Sequence, residues 1–114
     1  MKKDEKMESI LSEYVEQIKN IFGSSLKAVI LYGSYARGDF NEYSDIDIMV
    51  LVNLNDAEIK AKSDEFSDLT FETNYDNDIE IMPIVKNIDH FEKWLNAYPF
   101  YNNIEKEGIE LYAA

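Results

Sequence analysis

Two aspartates stand two residues apart at the mouth of an apolar run, "DIDIMVLVN", residues 45 to 53. On a strand, residues two apart project from the same face, so Asp45 and Asp47 present their carboxylates together. Ile46, Ile48, Val50 and Val52 then point the other way, into a core. Two carboxylates this close repel by a few kcal/mol at an effective dielectric near ~20. A cation between them relieves the repulsion. Hard oxygen donors on a rigid strand suit Mg²⁺, which keeps waters and shares the phosphates of a substrate. A third carboxylate would complete a two-metal site. Asp78 and Glu80 both offer one, in "DIEIMPIV". Glu80, held between Ile79 and Ile81, is the more deliberate placement, and Asp78 stands at the border of the run.

The other half of the constellation precedes the aspartates. Gly33 and Ser34 close a first apolar run, "KAVILY", residues 27 to 32. Glycine lets a backbone approach a phosphate closely. The Ser34 hydroxyl and the N–H groups that follow can cradle the anion, especially where they open a helical turn. Arg37, the only arginine in the chain, lies three residues on. Gly38 permits a sharp exit. If the two runs pair as antiparallel neighbours, cradle and carboxylates face each other. The carboxylates then hold metal, the metal holds a triphosphate, and the turn grips its tail. "GS" alone is a common turn, and "DID" alone is often a solvated strand entrance. It is their spacing that carries the chemistry.

Those residues need elements to place them. Met7, Ile10, Leu11, Tyr14, Val15, Ile18, Ile21 and Phe22 share one helical face over residues 5 to 22, and Gly23 suits a left-handed end. Strands over 27–32 and 45–53 flank a turn from Gly33 to Ser44 that holds one helical turn. Asn55 with Glu58 forms a capping box opening one helix over 56–73. "NYDND", 74–78, reads as a turn. Residues 78–85 read as a third strand, with Pro83 marking an edge or a bulge. The remainder, with Phe91, Trp94, Leu95, Phe100, Ile104 and Leu111, reads as packed helix broken by Gly108. His90 falls on a helix surface without a catalytic role. The order predicts an α+β fold, a small mixed sheet with flanking helices, in one domain over residues 1–114.

Composition narrows the function. Hydrophobic residues make up 46%, enough for a folded core. The net charge of −12 repels phosphate backbones, which argues against direct nucleic-acid binding and favours a basic protein partner. There is no cysteine, so no disulfide framework and no thiolate metal site. The charged start "MKKDEKMESI" has no apolar core of a signal peptide, and no run reaches membrane-spanning length. A cytoplasmic domain without a membrane role is expected.

At Gly33, Ser34, Asp45, Asp47 and Glu80 the sequence resembles the nucleotidyltransferase superfamily of the DNA polymerase β type. "GSYARGDFNEYSDIDIMVLV", with its ten-residue gap, resembles the minimal nucleotidyltransferases in particular, and "PFYNNIEKEGIELY" resembles their C-terminal end. The resemblance implies a polymerase β palm-like fold. It implies that Asp45, Asp47 and Glu80 bind two Mg²⁺ ions and act in catalysis. Gly33, Ser34, Arg37 and Ser44 would bind the nucleotide. It implies transfer of AMP from ATP to a tyrosine hydroxyl of a partner HEPN-domain ribonuclease toxin, in a hetero-oligomer that neutralises the toxin. Position 35 is Tyr where relatives often carry Arg, and the third acid is Glu where they often carry Asp. Two other readings compete: an antitoxin that acts by binding alone, and a transferase acting on a small-molecule hydroxyl. At 114 residues there is little room for an added acceptor domain, so the acceptor must dock from outside.

Overall fold

Helix α1 exists because its apolar residues recur every third or fourth position. Leu11, Tyr14, Val15, Ile18 and Phe22 are buried on one face. In the computed structural model, which describes residues 2–41 and 44–114, α1 runs Lys2–Phe22 and passes through a short 3₁₀ turn, Gly23–Ser25, into β1, Leu26–Tyr32. One helical turn follows, α2, Ser34–Arg37, and then β2, Ile46–Val52. Next come α3, Asp56–Ala61, α4, Ser63–Asn77, and β3, Ile81–Asn87. Two short helices, α5, Ile88–Trp94, and α6, Pro99–Glu107, lead to β4, Ile109–Ala113.

The four strands form one mixed sheet in the order β3-β2-β1-β4. β1 pairs antiparallel with β2 and with β4, and β2 pairs parallel with β3. This is the expected α+β class, and the antiparallel β1–β2 pair is the condition the site required. One face carries Val29, Leu31, Ile46, Ile48, Val50 and Val52 and packs with residues of α1 and α4 such as Ile18 and Phe66. The opposite face carries Ala28, Met49 and Leu51 and packs with Phe91 of α5 and with Tyr101 and Ile104 of α6. β2 is central and covered on both sides, so Ile48 to Val52 are all buried.

Several boundaries differ from the sequence reading, each for a local reason. The helix expected over 56–73 is two helices. The Asn55–Glu58 capping box forms as expected, but the chain leaves helical geometry at Lys62, where the Ser63 hydroxyl donates to the Lys60 carbonyl. Residues 74–77 extend α4 rather than forming a turn, and Asp78 ends it in the left-handed conformation, φ 53°. The third strand therefore begins at Ile81, not 78. The C-terminal stretch is not all helix. Gly108 ends α6 by donating to the Ile104 carbonyl, and β4 turns back onto β1. A side chain at position 108 would collide with that carbonyl and with Ile30.

β3 is an edge strand, as Pro83 indicated. Ile46 donates its N–H to the Glu80 carbonyl, so even-numbered residues of this segment face β2 and odd-numbered ones face outward. Pro83 thus sits where no ladder donor is needed. At Ile81 the outward groups are met by a side chain. The Asn74 amide accepts from the Ile81 N–H (2.8 Å) and donates to its carbonyl (3.2 Å).

The α1–α4 contact contains one buried polar link. The Tyr14 hydroxyl lies 2.7 Å from the Thr70 hydroxyl, which itself donates to the Phe66 carbonyl, so Tyr14 is the donor. Burial pushes the Tyr14 phenol up to about 12, against a smaller opposing effect of the Thr70 hydrogen bond. The folded state therefore holds its proton where the unfolded chain, titrating near ~10, releases it. That contribution is intact below pH ~10 and is lost as pH rises toward ~12. Tyr14→Phe is expected to lower stability by about 1 kcal/mol near neutral pH, about 4 °C in melting temperature. It should also flatten the fall in melting temperature between pH ~10 and ~12. Thermal melts monitored by circular dichroism across that range check both effects.

Candidate active site

The antiparallel pairing brings the end of β1 beside the start of β2. Tyr32 is the register partner of Asp47, and Gly33 follows directly. Gly33 has φ 75° and ψ −155°, a conformation that residues with a side chain rarely adopt. It also lies so close to Asp47 that a Cβ here would overlap the Asp47 carboxylate oxygen. The glycine is needed on both counts. Its carbonyl accepts from the Arg37 N–H, and the Ser34 carbonyl accepts from Gly38 and Asp39, which closes α2 as a tight turn. Gly38, at φ 83°, lets the chain leave.

Asp45 is exposed just ahead of β2, and Asp47 is partly buried on it. Asp47 lies on the sheet face away from α1, as alternation required. Its carboxyl is raised above the usual carboxylate range, first by burial and then by the negative charge of Asp45, with Arg37 pulling in the opposite direction. Asp47 in turn adds to burial in pushing the Tyr32 phenol up to about 12. Two repelling carboxylates, one of them desolvated, and both hard oxygen donors, fit a divalent cation such as Mg²⁺.

The remaining predicted residues are placed less uniformly. Ser34 opens α2 and is partly exposed beside Gly33. Arg37 reaches the same region, but its guanidinium pairs with Asp39 (3.2 Å) and Glu107 (3.6 Å). Both pairs are solvent-exposed and therefore weak, so an anion can compete for the arginine. Ser44 caps the return turn: its hydroxyl accepts from the Asn41 N–H, and its own N–H donates to the Asn41 carbonyl. Glu80 is exposed immediately before β3, beside Asp45 by extension of the register. It borders the groove between α4 and β3. Among the described residues, no three potential ligands gather closely enough to share a metal ion. Asp78 is committed to ending α4.

Tyr35 turns away from this site. Its ring stacks on Phe40 with centroids 4.1 Å apart, in the wall of an apolar cleft of about 610 Å³ between α1 and β4. Tyr35 and Ala36 also pack against the buried core, which anchors α2 to the body of the protein from behind. Two positioning residues escaped the sequence reading. Asn74 pins the segment carrying Glu80, and its signal was present only as a polar residue assigned to a turn. Glu107 ties Arg37 to α6, and nothing local in the sequence marks it. His90 is exposed on α5, with its Nδ1 3.1 Å from the Tyr101 hydroxyl.

The Asp47 carboxylate thus faces a glycine-led turn across the antiparallel β1–β2 pair, with Asp45 close enough to act on its charge. Residues 11–110 match the nucleotidyltransferase domain family, and the chain belongs to it. Two proteins of Methanocaldococcus jannaschii described as "putative protein adenylyltransferase" are similar over nearly their whole length. One is 33% identical over 105 residues, 92% of this chain and 97% of its own. The other is 32% identical over 104 residues, 90% and 95% respectively. A crystal structure of a "putative nucleotidyltransferase" from Sulfolobus solfataricus superimposes with a TM-score of 0.59 at 21% identity, covering 95% of this chain and 81% of that one. A toxin–antitoxin crystallised with AMP-PNP gives 0.55 at 18% identity, covering 90% and 73%. The fold is thus that of the nucleotidyltransferases. Among the described residues, no helix is long and apolar enough to cross a membrane.

Gly33→Ala is expected to leave a folded protein and to weaken binding of Mg²⁺-ATP at least tenfold, because the new methyl must displace the Asp47 carboxylate. Calorimetric titration of the variant, with circular dichroism as the folding control, checks this.

Proposed function

We propose that this chain is a single minimal nucleotidyltransferase domain of the cytoplasm. In this reading it transfers AMP from ATP to a tyrosine hydroxyl of a partner HEPN-domain ribonuclease toxin, silencing it in a hetero-oligomer. The observation that carries the reading is the Asp47 carboxylate set against Gly33 at the head of the Gly33–Ser34 turn, with Asp45 close enough to act on its charge. It is supported by relatives described as "putative protein adenylyltransferase" and by structural neighbours that are toxin–antitoxin proteins.

The roles follow from the chemistry. Ser34 and the α2 amides receive the β- and γ-phosphates, Arg37 leaves its exposed carboxylate partners to join them, and Ser44 holds the return turn beside the nucleotide. Asp45 and Asp47, with Glu80 as the third acid, would bind Mg²⁺, which when bound neutralises the phosphate charge that otherwise repels an acidic site. The acceptor oxygen attacks the α-phosphorus in line. The bond from that phosphorus to the bridging oxygen of the β-phosphate breaks, and pyrophosphate leaves. Glu80 is the candidate to take the acceptor's proton. The −12 charge steers a basic partner toward the domain.

One observation favours a second reading. No third acid joins Asp45 and Asp47 among the described residues, as in a protein that neutralises its partner by binding alone.

A HEPN-domain toxin that this protein binds, incubated with it, ATP and Mg²⁺, is expected to gain mass in units of AMP. The Asp45→Asn, Asp47→Asn double variant should give no gain. Intact-mass spectrometry reads the result. A gain that persists in the double variant overturns the assignment of the two aspartates. A stable complex with no gain in either case favours binding alone.

A further inference from the structure

An aromatic wall begins next to the carboxylates and leads away along the same sheet face. Tyr32, the register partner of Asp47, meets Phe100 edge to face with centroids 5.7 Å apart. Phe100 and Tyr98 both pack on buried Tyr101, at 6.1 and 5.5 Å. Trp94 lies flat on Tyr98, 5.5 Å away and 11° from parallel. The rings are well anchored yet open. Phe100 remains 45% exposed, Tyr98 43% and Trp94 36%. Large apolar rings held rigid and left exposed beside a reactive centre are ready to stack on a flat ligand.

We propose that Phe100 and Tyr98, continuing the face that Asp47 and Tyr32 begin, form the platform on which the base of the nucleotide stacks. This rests on the nucleotidyl-transfer reading and extends it to the other end of the substrate. The triphosphate end is fixed at Gly33–Ser34 and the α-phosphate at the aspartates, so the nucleoside is the part that remains to be held. Its flat ring system suits a wall of aromatic rings. Stacking by itself reads no base edge. The His90 Nδ1 is already paired with the Tyr101 hydroxyl. Recognition by stacking tolerates different bases, because every base has a π-face. The site should therefore discriminate weakly between ATP and GTP.

The test compares ATP with inorganic tripolyphosphate, which shares the phosphates and lacks the base. In Mg²⁺ buffer, calorimetry should show Phe100→Ala and Tyr98→Ala each weakening ATP about tenfold, within the usual range for a lost base stack, with tripolyphosphate affinity unchanged. Phe100→Trp should restore ATP binding. Trp94 is the only tryptophan in the chain, and its emission should respond to ATP but not to tripolyphosphate. Unchanged ATP affinity in both alanine variants overturns the platform, whether or not partner capture is lost instead. An equal loss of both ligands also overturns it, since the substitution would then act through the fold. If wild-type protein binds tripolyphosphate but not ATP, or neither, the nucleotidyl-transfer reading itself fails, a result distinct from the other two.

Discussion

The contact between the Asp47 carboxylate and the Cα of Gly33 sets the rest of the site. It can exist only because position 33 has no side chain and adopts a positive φ. It fixes the distance between the residue that follows β1 and the second residue of β2. From that contact the start of α2 is set, and with it Ser34 and the amides that follow. The register of β1 against β2 then places Tyr32 beside the same carboxylate. The buried residues of β2, Ile46 and Ile48 through Val52, hold this geometry rigid from both sides of the sheet.

Charge is arranged against intuition. An acidic protein places two acids together, lets burial raise one of them, and offers a single arginine nearby. That arginine is shared among Asp39, Glu107 and the field of Asp47. The arrangement makes sense if further positive charge arrives with the substrate. Until it does, Arg37 rests on two exposed carboxylates that hold it loosely and keep it close.

Much of this was legible in the sequence because it was local. The alternation that puts Asp45 and Asp47 opposite the isoleucines, the glycine before Ser34, the Asn55–Glu58 box and Pro83 at an edge are all statements about neighbours in the chain. What could not be read depended on partners far apart. β4 looks like the end of a helix until Gly108 is seen against Ile30, and Asn74 looks like a turn residue until Ile81 needs an edge partner. The third carboxylate is the same kind of problem. Glu80 stands out in the sequence by its place between two isoleucines, but where its side chain lies depends on how α4 ends and where β3 begins. The left-handed Asp78 and the Asn74 clamp decide that.

The same clamp affects how copies of the protein can meet. On the outer side of β3, Asn74 occupies the hydrogen-bonding groups of Ile81, and Pro83 has no donor to give. Only the amides of Val85 and Asn87 are left facing outward in that strand, and the Asn87 side chain is turned to cap α5. That margin of the sheet is a poor template for another chain. The β4 margin, Ile109–Ala113, carries no proline. A sheet that can grow from only one of its margins cannot propagate. Two copies joined β4 to β4 would use up each other's open side, so association by this route ends at a closed pair and never runs on into a filament.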